Sequence, residues 1–245
     1  MTLLDADGKT LLVYHFDALT VENSPTLMFS EFVPWKTATK LIVLKHNQTV
    51  LAKRKVTPHK PTVKVLRPKS GGTWGAKATV TWRAADVDKD VLTYTVLYNT
   101  GADKRWVPIA TDVKGLSATV DTRLLVGSKT SRVRVRATDG VNTTEADSGA
   151  FIVPEHPPLV SILGAAKGKV VKRQSAEFTG AAYDPRDGML PAARLKWTSD
   201  RDGELGTGGH ITTTRPLSHG AHMITLTATN SQGQVATKKT TVVAK

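Results

Sequence analysis

Two proline-bearing stretches constrain this chain more than any other feature: VTPHKPTVKVL, beginning at Val56, and VPEHPPLVSIL, beginning at Val153. Each runs valine, proline, histidine, proline and then alternating aliphatics. Val63 and Val160 hold the same place in the pattern, 97 residues apart. Proline fixes φ and cannot donate a ladder hydrogen bond, so such stretches leave one sheet and enter the next as semi-rigid linkers. A spacing near 97 residues is the size of one β-sandwich. The chain of 245 residues therefore divides at 1–57, 58–153 and 154–245.

Period-two patterning fills the intervals. ATVTWRA sets Val80 and Trp82 against Thr79, Thr81 and Arg83. LTYTVLY sets Leu92, Tyr94, Val96 and Tyr98 against Thr93, Thr95 and Leu97, and SRVRVRA sets Val133, Val135 and Ala137 against three arginines. ARLKWTS, HMITLTATN and KKTTVVA continue the scheme. Such alternation marks half-buried antiparallel strands. Asp139-Gly140, Asp187-Gly188, Asp202-Gly203 and Gln232-Gly233 supply turns between them. No stretch carries a helical period, so the fold class is all-β: tandem antiparallel sandwiches in an elongated array. In the first segment, LLDADGKTLLVYHF reads as a hairpin at Asp7-Gly8, and LMFSEFVPW, KLIVLKH and TVLAKRKV as further strands. At 57 residues this segment is a smaller β unit, or a sandwich whose first strands are missing and whose sheet edges lie open.

Hydrophobic residues make up 40%, enough for real cores. No apolar run approaches the roughly 18 residues of a membrane span, and MTLLDADGKT has neither the basic nor the apolar region of a signal peptide. With no cysteine, thiol catalysis, cysteine-bound metal and disulfides are excluded. The net charge of +13 is spread as +2, +6 and +5 over the three segments, which reads as a solvated basic surface and not as a nucleic-acid site.

Residues 62–153 resemble a fibronectin type III domain, on ATVTWRA, LTYTVLY and LLVGSKTSRVRVRATDGVNTTEADS. Where that family places a tyrosine before its RVRA-like strand, this chain has Thr130 and Ser131. Residues 158–245 resemble a bacterial immunoglobulin-like module of the PKD-like kind, on AYDPRDGML, LKWTSDRDGELGTG, LSHGAHMITLTATNSQG and TTVVA. DVDKDVLTY is similar to the DxDGDxLTY turn of secreted bacterial modules, with Lys89 in place of glycine. Both resemblances imply accessory modules of large secreted or surface proteins, acting as spacers, adhesive surfaces or binding units. Fold alone does not choose among these.

Asp184 and Asp187 share one turn, and Asp200, Asp202 and Glu204 another, on either side of the Trp197 strand. Calcium takes about 6–8 oxygens, which Asp184, Asp187, Asp200 and Asp202 would supply in part if they met. Asx-turns and Asp-Gly corners need the same residues without an ion, and Arg186 and Arg201 would neutralise them. Asp86, Asp88 and Asp90, at every second position, pose the same choice. His219 and His222 fall on opposite faces of an extended chain and do not make a metal pair. His59 and His156 are expected to pack on the linker prolines. No GxSxG elbow or HExxH is present, and SGGTWG and GTGGH do not lead into helices, so no catalytic residues and no phosphate cradle are expected. Arg132, Arg134 and Arg136 form a cationic ladder about 7 Å apart, either a polyanion surface or a solvent face relieved by neighbouring acids. Trp74 and Trp106, in loop-like settings, are the aromatics expected to be exposed for stacking on sugars. Trp82 and Trp197 are expected in cores, and Trp35 beside the first linker.

The reading is a non-catalytic structural, spacer or adhesion region of an extracellular or cell-surface bacterial protein. The alternative is a carbohydrate- or polyanion-binding module. The expected partners are other domains of a larger parent protein and, in the alternative, a polysaccharide or cell-surface protein. No cofactor is expected apart from calcium at the aspartates.

Overall fold

The computed structural model describes all residues except 21–23, 25, 165–169 and 172–174, with only the backbone of Val170 and Val171. Described strands run from two to eleven residues, antiparallel with one exception, and are accompanied only by two single-turn 3₁₀ helices. The fold is all-β.

In the first 57 residues, β1 (Thr2–Leu4), β2 (Thr10–Val13), β5 (Leu41–His46) and β6 (Thr49–Lys55) form one sheet in the order β2-β1-β5-β6. β3 (Leu19–Thr20) and β4 (Leu27–Met28) make a separate two-stranded ribbon. The hairpin at Asp7-Gly8 forms, with Asp5 accepting from the Asp7 and Lys9 amides. The strand expected over LMFSEFVPW is reduced to Leu27–Met28, because Pro34 cannot donate and 29–36 has no pairing partner. This sheet buries little: Leu3, Val43 and Thr39 are enclosed, while β6 is exposed along its whole length. Phe32 is 98% exposed and Trp35 is 52% exposed.

The next segment forms two facing sheets. One holds β7 (Thr62–Arg67), β8 (Lys77–Ala85) and β11 (Ser117–Asp121) in the order β11-β8-β7. The other holds β9 (Thr93–Asn99), β10 (Val107–Val113), β12 (Ser128–Thr138) and β13 (Thr143–Asp147) in the order β10-β9-β12-β13, with β14 (Phe151–Val153) also pairing β12. The alternation places Val80, Trp82, Tyr94, Val96, Val133 and Val135 inward, all buried in one core. Leu97 departs from it. It faces outward yet is buried, because β9 is a central strand and Leu97 is flanked in register by Pro108 and Arg134. Tyr98 on β9 donates from its hydroxyl to the Val126 carbonyl at 2.7 Å and meets the buried Ser131 Oγ at 2.8 Å.

The last segment is again a pair of sheets. β15 (Leu159–Ile162), β17 (Glu177–Asp184) and β18 (Gly188–Met189) form one, with β21 (His210–Thr212) pairing β17. β16 (Val170–Val171), β19 (Leu195–Ser199), β20 (Gly203–Thr207), β22 (Gly220–Thr229) and β23 (Val235–Ala244) form the other, in the order β16-β23-β22-β19-β20. Trp197, Phe178, Ile224 and Leu226 sit at the centre of a second, separate core. The Trp197 indole donates to the Gly208 carbonyl at 2.9 Å, and its ring stacks on Phe178 with centroids 5.6 Å apart. A side chain at Gly180 would collide with Leu226 and Trp197, so this core requires glycine there.

Candidate functional site

The acidic group that the fold assembles lies where the first linker meets the middle sandwich. Asp86 and Asp90 sit in the turn between β8 and β9, and Asp139 in the turn between β12 and β13. Each offers a carboxylate oxygen, and the three oxygens lie within 4.8 Å of one another. Among the described residues this is the only such convergence of His, Asp or Glu side chains. The Asp90 amide donates to Asp86 Oδ1 at 3.2 Å, which curls the turn, and Lys89 takes a left-handed φ of 61° at its corner. Asp139, only 3% exposed, caps its own turn through the Val141 and Asn142 amides. Thr57 of the linker donates to Asp90 Oδ2 at 2.7 Å. Asp86 Oδ2 is buried and has no hydrogen-bond partner. No described Lys, Arg or His nitrogen lies within 4.0 Å of these three carboxylates.

Asp88, the middle member of the sequence triplet, does not join them. It accepts from the His59 ring at 2.8 Å and from the His59 amide at 2.9 Å. The hydrogen bond from the His59 ring, with the amide behind it, holds its carboxyl below the usual value. His59 is thus a hydrogen-bonding latch, not simply a prop for prolines. His156 of the second linker is another, with Nε2 at 3.2 Å from Thr122 Oγ1.

Asp184, Asp187, Asp200 and Asp202 do not meet. Asp184 accepts from the Arg186 and Asp187 amides and from Asn230 Nδ2 at 2.9 Å. Asp187 accepts from the Ser231 hydroxyl and amide, both at 2.6 Å. This pair staples one end of β22. Asp200 accepts from the Met223 amide and Asp202 from the Ser218 amide at the other end. The two ends are separated by most of a ten-residue strand, roughly 20 Å or more at about 3.4 Å per residue. The two arginines expected to neutralise them pair elsewhere: Arg186 turns to Glu155 and the Gly127 carbonyl, and Arg201 to the His219 carbonyl. Backbone amides, Asn230 and Ser231 answer the aspartates instead, with Arg194 3.9 Å from Asp187. Hydrogen bonds from Ser231 hold Asp187 below the usual value, and the Ser218 amide does the same for Asp202.

The aromatic and cationic candidates are largely spoken for. Trp74 is 8% exposed and packs on Phe151 with ring centroids 4.4 Å apart. Sequence reasoning missed this because β14 reaches Trp74 only in the fold: the Trp74 amide donates to the Ile152 carbonyl. Trp106 is half-buried beneath the Arg134 guanidinium, 4.2 Å from its centroid. Arg134 also pairs with Asp147 and Glu145, and Arg136 with Glu145, across β13. Of the ladder, only Arg132 extends without an acidic partner among the described residues.

A further polar group was not legible in the sequence. His222 is fully buried, with Nδ1 at 2.9 Å from Ser199 Oγ and 3.6 Å from Asp202, and Nε2 at 2.6 Å from the Ser218 carbonyl. Nε2 donates to the carbonyl, and Nδ1 shares a hydrogen bond with Ser199 Oγ. Both ring nitrogens are engaged in closing the loop before β22, which gives the group a structural office.

No described helix is long and apolar enough to cross a membrane. No protein-family model matches the chain, and no curated protein matches it in sequence. Solved structures similar to it include fibronectin(III)-like modules of Clostridium thermocellum CbhA, at 16% identity and TM-score 0.32, covering 75% of this chain and 94% of that one. They also include the titin fragment A168–169, at 11% identity and TM-score 0.28, covering 76% of this chain and all of that one. A third is the N-terminal three domains of the bacteriophage RB49 outer capsid protein Hoc, at 14% identity and TM-score 0.29, covering 75% and 59%.

Proposed function

We propose that the chain is a non-catalytic structural, spacer or adhesive region of a secreted or cell-surface bacterial protein. We take 58–153 as a fibronectin type III-like sandwich, 154–245 as an Ig/PKD-like sandwich and 1–57 as a smaller β unit. The supporting observation is the pair of separate cores joined by a proline segment that is latched to the sandwich bodies, through His156–Thr122 and Arg186–Glu155. Independent cores with tethered linkers transmit position along a chain without needing a reaction centre. Small-angle scattering tests the reading: an elongated particle is expected, and a globular envelope overturns it.

A second reading, binding of an anionic polysaccharide, is favoured by a groove of about 470 Å³ lined by Arg67, Lys69 and Lys77 beside Trp74. Binding on a glycan array at low salt, lost in Lys69→Ala/Lys77→Ala, is the expected result under that reading. No binding at low salt dismisses it.

A further inference from the structure

We propose that Asp86, Asp90 and Asp139 hold a calcium ion at the entry of the first linker into the middle sandwich. Three observations point to a ligand. The carboxylate oxygens lie within 4.8 Å of one another, which is the span of oxygens placed around one ion at about 2.3–2.6 Å. Asp86 Oδ2 is buried with no donor to satisfy it. A buried carboxylate oxygen without hydrogen bond or counter-ion is costly to keep, and a cation removes that cost. Finally, no described cationic side chain lies within 4.0 Å of the three, although this chain carries 34 lysines and arginines. Asp147 and Glu145 are answered by arginines, whereas Asp90, Asp139 and one oxygen of Asp86 are answered only by amides and the Thr57 hydroxyl. Here no cation pairs directly with the group, the Arg54 guanidinium lying instead against Gly140 of the adjoining turn, and Asp86 Oδ2 is left without any partner.

The chemistry selects the ion. All donors are oxygen, with no imidazole or thiolate in the group, which disfavours zinc and copper. Carboxylates from two turns, with remaining positions left to water, suit the variable coordination of calcium better than the strict octahedron of magnesium. The consequence is mechanical. The ion would clamp the β8–β9 turn to the β12–β13 turn. Asp90 also accepts from Thr57, and Asn142, beside Asp139, donates to the Thr57 carbonyl at 3.1 Å. Binding would therefore fix the angle at which residues 56–61 enter the sandwich. The site does not depend on the spacer reading of the chain.

The test uses the whole 245-residue chain, treated with chelator and titrated with calcium chloride by calorimetry. One site is expected, with affinity in the range of about 10⁻⁴–10⁻³ M typical of extracellular modules. Saturating calcium should raise the melting temperature by about 2–6 °C. Asp86→Asn, which keeps the side-chain shape, should weaken binding at least tenfold, and Asp90→Asn should do the same should the first variant not fold. Asp200→Asn, at the far sandwich, should bind as the parent does. Absence of both heat and melting shift at 10-fold above that affinity range overturns the proposal. So does full binding by Asp86→Asn, loss of binding in Asp200→Asn, or equal saturation by magnesium.

Discussion

Lys89 occupies a left-handed backbone position, φ 61°, in the turn that carries Asp86 and Asp90. An L side chain there costs about 1–2 kcal/mol, and glycine, the residue the related turn pattern carries, avoids most of it. Lys89→Gly should stabilise the protein by roughly 0.5–1 kcal/mol after its own entropic loss. The urea midpoint should rise with unchanged slope. Trp74 presents the opposite case, a residue whose loss is felt in the core. Trp74→Ala should cost about 3–5 kcal/mol, because it empties the space against Phe151. Trp106→Ala should cost far less, since that ring is only half-buried; comparable denaturation midpoints for the two variants would contradict the packing described.

Along the elements, stability comes from how strands and turns are stapled. Arg134 lies between Trp106, Asp147 and Glu145, so its charge is answered twice and its guanidinium is stacked. With side chains about a quarter to a third exposed, the Arg134–Asp147 pair should contribute about 0.5–1 kcal/mol in a double-mutant cycle, declining with salt. In the last sandwich the staples are carboxylates. Asp187 and Asp202 both sit below the ordinary aspartate value of 3.8, so they bind protons less readily folded than unfolded. Their contribution is present above that value and is lost as pH falls through their lower folded values. Denaturation midpoints should therefore drop as pH is taken below 3.8. Asp187→Asn/Asp202→Asn should be less stable at pH near neutrality and show a flatter acid limb; an unchanged limb would mean these turns do not control it.

Over the whole molecule, the junctions are small and polar. The last two sandwiches meet through Arg186, which reaches Glu155 of the linker and the Gly127 carbonyl. A side chain at Gly127 would strike Glu155, so the approach is close at that point. Arg186→Ala should leave both cores intact, with unchanged near-ultraviolet dichroism, while broadening the distance distribution in small-angle scattering. A distribution identical to the parent would assign the rigidity to the prolines and the His156–Thr122 contact alone.

What was legible and what was not separate along one physical line. Residue alternation and turn chemistry depend on neighbours one to three positions away. Hence Val133, Val135 and Ala137 turned inward as read, and the corners at Gly188 and Gly203 carry φ of 75° and 73°. The all-β class, the core places of Trp82 and Trp197 and the turn office of Asp184 were all written locally. The tertiary structure alone decided which distant pieces meet. It buried Trp74 by bringing β14 across it, and sent Arg186 to Glu155 instead of Asp184. It parted Asp184 from Asp200 by the length of β22. It also set Asp139 beside Asp86 and Asp90 while His59 drew Asp88 away. Strand order and register fix those encounters, and no spacing along the chain encodes them.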